Sequence, residues 1–140
     1  MIPTGDDAET LLWDCFHDGS IVKVTQIEWQ VYEVEIEIEY LIEEMLGVKE
    51  GAFRLALFGC EKFEFEPFES SIVTEIEKIS KLNLEILSSE KREGDLRIFC
   101  SNNGILKLKY QSFKLYLEGS EITLTQLNNG QQSYWDKFGS

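Results

Sequence analysis

The sequence predicts an α+β fold, mainly β: an antiparallel, strongly twisted sheet, either a partly open barrel or a two-layer sandwich, with a short N-terminal helix and one helix near residues 71–80. Three observations predict it. From Tyr32 to Tyr40 apolar and acidic residues alternate without error, so Tyr32, Val34, Ile36, Ile38 and Tyr40 line one face of a strand and Glu33, Glu35, Glu37 and Glu39 the other. Nearly every connection looks like a hairpin, and the one around Trp29-Gln30-Val31 is too short for a crossover helix. Between Ile105 and Leu117 the apolar parity switches near Gln111-Ser112, and a bulge or corner there keeps both halves facing the core.

Along the chain, Asp6 or Asp7 is an N-cap candidate for a helix reaching Asp14, with Leu11, Leu12 and Cys15 near helical spacing. Phe16-His17-Asp18-Gly19-Ser20 breaks that pattern, and Ile21 to Trp29 resumes as a strand rich in β-branched residues. It is antiparallel to the alternating strand that follows. Leu41 to Gly47 reads either as a helical turn ended by Gly47 or as a wider loop. Ala52 to Cys60 is apolar apart from Arg54, as in a strand central to a sheet. Phe63-Glu64-Phe65-Glu66 repeats the acidic alternation until Pro67.

Ser70 or Ser71 is placed to cap a helix whose stripe is Ile72, Ile76 and Ile79. Strands at Leu82–Ser88 and Asp95–Ser101 flank a turn at Gly94, and Asn103-Gly104 is a hairpin signal leading to Ile105. A last strand covers Glu121–Leu127, and the tail from about Asn128 is polar, with Tyr134, Trp135 and Phe138 as docking groups. All of this fits one domain over residues 1–140, with no repeat and no linker.

The formal charge of −13, from 26 acidic and 13 basic side chains, repels phosphate backbones and anionic lipids, so nucleic acid and membrane surfaces are disfavoured and basic partners favoured. No apolar stretch is long enough to cross a membrane and no signal-like leader is present. Cys15, Cys60 and Cys100, far apart and set among apolar residues, read as buried thiols of a cytoplasmic protein. They lack metal-ligand spacing and His17 is the only histidine, which argues against zinc. Ca²⁺-loop spacing, a phosphate loop and a Gly-x-Gly-x-x-Gly run are also missing, so no cofactor is expected.

His17-Asp18 is the one place where a general base adjoins an acid. Neighbours on an extended chain point apart, and a turn lock fits better: Asp18 bonds backbone N–H groups, His17 bonds a carbonyl, and Gly19 supplies a permissive dihedral. Glu35 and Glu37, about 7 Å apart on one strand face, make a glycosidase pair only if a pocket raises one of their pKa values. A Ser or Cys nucleophile would need His17, and no Gly-x-Ser-x-Gly elbow is present.

Glu28 to Glu50 holds eight glutamates and one lysine, more than half of the net charge. Such a face repels itself unless lysines on neighbouring strands relieve it, with Lys23, Lys107, Lys109 and Lys114 as candidates. Paired, the face is structural. Unpaired, it is a docking surface for a basic protein, and the expected contact residues are Glu33, Glu35, Glu37, Glu39, Glu43 and Glu44.

Phe16-His17-Asp18-Gly19 with Ile21, the alternating strand, and Leu57-Phe58-Gly59-Cys60 leading to Phe63 resemble a loose group of small bacterial β-rich proteins. In that group a Phe/Leu-His-Asp motif precedes the first strand, and many members are uncharacterised or assigned as immunity proteins of polymorphic toxin systems. The resemblance covers about the first half of the chain, departs from the pattern at Leu41 to Ala52, and transfers no catalytic residue. Together with the acidic segment and the missing catalytic constellation, it points to a non-enzymatic cytoplasmic binding protein, an immunity protein that neutralises a basic toxin through the glutamate face. The alternative is a small-molecule binder whose curled sheet encloses an apolar cavity. An enzyme built around His17 comes third, and an exposed edge strand would also permit a dimer.

Overall fold

The computed structural model describes residues 6–101 and 104–139, with side chains from Ala8 to Lys137 within those spans. The cap expected at Asp6 or Asp7, the Asn103 half of the hairpin signal and the docking of Phe138 fall outside these residues and side chains. Among the described residues the order is α1 (Asp6–Asp14), β1 (Ser20–Glu28), β2 (Val31–Glu37), α2 (Glu39–Leu46), β3 (Phe53–Phe58), β4 (Lys62–Pro67), α3 (Ile76–Ser80), β5 (Ile86–Arg92), β6 (Asp95–Cys100), β7 (Gly104–Lys109), β8 (Ser112–Leu117), β9 (Ser120–Ile122) and α4 (Leu124–Gly139). The strands form two antiparallel sheets, β1-β2-β3-β8-β9 and β4-β7-β6-β5, that do not close into a barrel.

The parity switch is the corner between them. β7 pairs with β4 and β6, while β8, two residues later, pairs with β3 and β9. Leu106, Leu108 and Tyr110 therefore stay buried on one sheet and Leu115 and Leu117 on the other. A second crossing, between β3 and β4, runs beside the first, tied to it by Glu61 N–H to the Lys109 carbonyl (2.8 Å) and Gln111 N–H to the Phe58 carbonyl (2.9 Å). Elsewhere the sheets are stitched by the turn before β1. Asp18 N–H donates to the Ile86 carbonyl (2.8 Å), Ile86 N–H to the Gly19 carbonyl (2.8 Å) and Ile21 N–H to the Leu84 carbonyl (2.7 Å). Inward residues of both sheets and of the helices join one apolar cluster. Helix α1 lies on β5, β6 and α4, α2 on α4, and α3 against β1 and β4.

Four element boundaries differ from the sequence expectation. Strand β2 stops at Glu37, and Glu39 and Tyr40 begin α2. Ile38, Leu41 and Ile42 are buried, so the end of the alternating run also starts a three-and-four stripe, and the helical period wins from Ile38 onward. Gly47, at φ 79°, caps that helix in the left-handed region.

The helix expected from Ser70 or Ser71 is only Ile76–Ser80. Val73 instead exchanges two backbone hydrogen bonds with Phe65 (2.9 and 2.8 Å), which holds the chain extended beside β4 and leaves Ile72 exposed. Strand β5 begins at Ile86 and runs to Arg92, where Glu93 and Gly94, both at positive φ, make the turn into β6.

The strand expected over Glu121–Leu127 is Ser120–Ile122, and the polar tail is helix α4. Thr123 and Gln126 cap it reciprocally, Gln126 N–H to Thr123 Oγ1 (3.1 Å) and Thr123 N–H to Gln126 Oε1 (2.7 Å). Thr123-x-x-Gln126 was the signal in the sequence, and Leu127 and Gln131 are its buried side.

Cys15, Cys60 and Cys100 are free and buried, and burial pushes their thiols up to about 12, 11 and 12. At pH 8 a disulfide reagent is therefore expected to label none of them in the native protein and all three after denaturation. Fast labelling of even one native thiol would contradict the packing of its element.

Candidate partner-binding surface

Cross-strand pairing decides how much of the acidic charge is relieved. On the second sheet it is relieved well. Lys107 bonds Glu66 (2.7 Å), Lys62 bonds Asp95 (2.7 Å) and Lys109 lies 3.5 Å from Glu61. These lysines hold the Glu66 and Asp95 carboxyls below their ordinary range. Lys107 and Lys109 are thus spent on the β4 side of the molecule, away from the Tyr32–Tyr40 run they were expected to neutralise.

On the first sheet the compensation is partial. Glu35 sits between Lys23 of β1 and Arg54 of β3 in register, yet among the described residues neither comes within ion-pair distance of it. Arg54 turns to Glu33 (3.5 Å) and lies over the Tyr116 ring, 5.1 Å from its centroid. Lys114 is registered against Ala56 rather than a glutamate. Glu37 is exposed opposite Ser20.

Beyond Glu37 the chain turns into α2, and the acids gather. Asp18, Glu37, Glu39, Glu43 and Glu50 line an open cleft of about 670 Å³, with Lys49 as the cation in its wall and Tyr40 and Ile42 among its apolar residues. Lys49 reaches Glu39 at 3.8 Å, both side chains being well exposed, which makes the pair weak. A shallower hollow of about 310 Å³ adjoins it through Glu37 and adds Glu35 and Glu118. Among the described residues no group of three or more His, Cys, Asp or Glu side chains is arranged to hold a metal ion.

Three of the six glutamates read from the sequence, Glu37, Glu39 and Glu43, thus meet in one cleft, and Glu35 borders it. Glu33 is committed to Arg54. Glu44 is committed elsewhere too, because Lys137 of α4 and Ser133 Oγ (2.8 Å) both bond its carboxylate and hold it below the ordinary range. Asp18, read from the sequence only as part of the turn lock, and Glu50 and Glu118 were not among the expected contact residues, since only the fold brings them beside α2 and β2.

The His17-Asp18-Gly19 turn has its own logic. His17 Nδ1 lies 2.6 Å from the Leu87 carbonyl, which only accepts, so Nδ1 carries the proton. Nε2 lies 3.4 Å from Asp18 Oδ2. The positive φ falls on Asp18 (69°) rather than on Gly19, whose role is spatial: a Cβ there would meet the Phe16 carbonyl at 2.9 Å and Ile36 and Ile38 at 3.2 and 3.3 Å. Among the described residues the Asp18 carboxylate bonds no backbone N–H and faces the imidazole and the cleft instead. The nearby Cys15 thiol is held protonated by burial and by Asp14, and its Sγ donates to Asn128 Oδ1 at 3.9 Å.

Two features complete the neighbourhood. No helix among the described residues is long and apolar enough to cross a membrane. A second groove, of about 890 Å³, runs between β1 and α3, with Val24, Tyr32 and Ile76 among its walls. Comparison with family models, with curated proteins and with solved structures returns no match.

Proposed function

We propose that this chain is a non-enzymatic binding protein that docks a basic protein on the acidic end of its first sheet. The observation that carries the proposal is the convergence of Asp18, Glu37, Glu39, Glu43 and Glu50 on one open cleft with a single lysine in its wall. Such a cluster attracts cationic surfaces at long range and gains most when a partner's ammonium or guanidinium groups replace the water between its carboxylates. Two further facts support a protein partner. The space between the sheets is occupied by Leu, Ile and Phe side chains of one core, and His17 has its ring proton engaged by a backbone carbonyl. Neutralisation of a toxin is the biological form implied by the Phe16-His17-Asp18-Gly19 resemblance, and the acidic cleft is what makes that toxin basic.

Reversing Glu37, Glu43 and Glu50 to lysine is expected to weaken binding of a basic partner on the order of 100-fold and to remove most of its salt dependence. Titration calorimetry at two ionic strengths measures both, and an affinity that ignores the three reversals would sink this placement. The groove between β1 and α3 favours a second reading, a small apolar ligand held against Tyr32 and Ile76. A ligand whose affinity falls in Ile76→Asp and is indifferent to the three reversals would select it.

A further inference from the structure

The outer face of the first sheet is chemically divided along its length. At one end are Glu35, Glu37 and the acidic cleft; at the other is the β1–β2 turn, where Ile27 is 55% and Trp29 80% exposed. Trp29 is the most exposed large apolar side chain of the described residues. Val31 and Phe58, registered opposite one another, extend the patch across β2 and β3. Both are partly exposed, neither belongs to the core, and Val31 shares its strand face with Glu33, Glu35 and Glu37. Among the described residues the helices pack elsewhere: α1 and α2 against α4, and α3 at the β1 edge.

A turn that needs only polar or permissive residues has here been given a tryptophan, the side chain most often found at the energetic centre of protein interfaces. We propose that Ile27, Trp29, Val31 and Phe58 are the apolar anchor of the same interface whose electrostatic half is the acidic cleft, so that the partner is a basic protein carrying an apolar projection beside its cationic surface. The proposal rests on the basic-partner reading above. Charge decides the occupant: a partner lying along this face meets carboxylates at one end, so it must be cationic there. The spacing follows from the strand, since Val31 to Glu37 spans about 20 Å. The partner's apolar projection and its cationic cluster must be that far apart. The acidic end then steers the encounter and the anchor slows dissociation.

The test uses the full chain and two synthetic probes, an oligolysine and the same oligolysine carrying a short leucine segment at one end. The leucine-bearing peptide is expected to bind about tenfold more tightly. Trp29→Ala should erase that gain while leaving oligolysine binding unchanged, and the pair Glu37→Gln with Glu43→Gln should weaken both peptides. Because Trp29 lies in an exposed turn, unchanged thermal melting is the expected control. Oligolysine binding with no gain from leucine, or a gain that survives Trp29→Ala, overturns the anchor and leaves the basic-partner proposal standing. Failure of oligolysine itself to bind removes both. Sedimentation showing a wild-type dimer that Trp29→Ala converts to monomer also overturns it, by identifying the occupant as a second copy.

Discussion

Replacing Trp13 by alanine is expected to lower the free energy of unfolding by about 3–5 kcal/mol, the largest single loss among core positions. Trp13 has no exposed surface, and its ring meets Phe16 edge-on at 6.4 Å. Phe16 in turn meets Phe53 of central strand β3 at 5.2 Å. Trp13 Nε1 donates to the Tyr110 hydroxyl at 3.1 Å, at the corner where the chain leaves one sheet for the other. One side chain therefore links α1, β3 through Phe16, and the corner, and truncation leaves both a cavity and an unsatisfied buried hydroxyl. Urea denaturation followed by circular dichroism measures the loss. Trp13→Phe should retain much of the packing and lose about 1–2 kcal/mol from the missing donor. A loss below about 1 kcal/mol in Trp13→Ala would mean that α1 is not integral to the core.

Trp13 also shows where the sequence stopped being readable. Leu12 and Cys15 are buried and Leu11 packs on the core as their spacing predicted, but Trp13 and Phe16 are fully buried as well, which only the helix's seat on β5 and β6 selects. Period-two patterns were legible because each strand shows its core face in its own residues: β2, β4 and the parity switch into β8 could be read locally, and β3 as a continuous apolar run. Short helices were less legible. Ile72, Ile76 and Ile79 hold helical spacing as well as any residues in the chain, yet a β-bridge at Val73 claims the first turn. Helix α4 went unread because its buried side includes Gln131, a polar residue whose burial depends on partners at Cys15, just after α1, and in α2.

The acidic site was half legible for a related reason. Composition located the charge between Glu28 and Glu50, but which carboxylates are relieved depends on pairing that no local pattern encodes. Arg54, an isolated charge in an apolar strand, is registered opposite Glu35 but turns diagonally to Glu33, and Lys137, more than ninety residues from Glu44 in sequence, pairs with Glu44 through α4. Subtracting those two moves the unrelieved charge off the strand face and onto the cleft between β2 and α2, where Asp18 and Glu50 join it.

Gln131→Ala is expected to loosen α4 selectively, at a cost of about 2–3 kcal/mol. The Gln131 amide is fully used: Nε2 donates to the Cys15 carbonyl and to the Tyr40 hydroxyl (2.8 Å), and Oε1 accepts from Trp135 Nε1 (2.8 Å). Tyr40 passes the chain on by donating to the His17 carbonyl at 3.1 Å, and its ring packs against Tyr134 at 4.4 Å. Removing the amide takes a donor from the Cys15 carbonyl and from the Tyr40 hydroxyl and an acceptor from Trp135 Nε1 at once, so the loss exceeds that of one hydrogen bond. Hydrogen exchange should accelerate in α4 and in the first turn of α2, while amides of β2 and β3 keep their protection. Acid should act on the same contact. The Glu44 carboxyl lies below its ordinary range in the folded protein, so its pairing with Lys137 stabilises docking above about pH 4. That contribution fades as pH falls through the lowered folded value. Because Tyr40 also lines the acidic cleft, a loosened α4 changes the wall against which a cationic side chain would seat. Uniformly faster exchange across both sheets in Gln131→Ala would instead show that α4 holds up the whole fold and not the cleft alone.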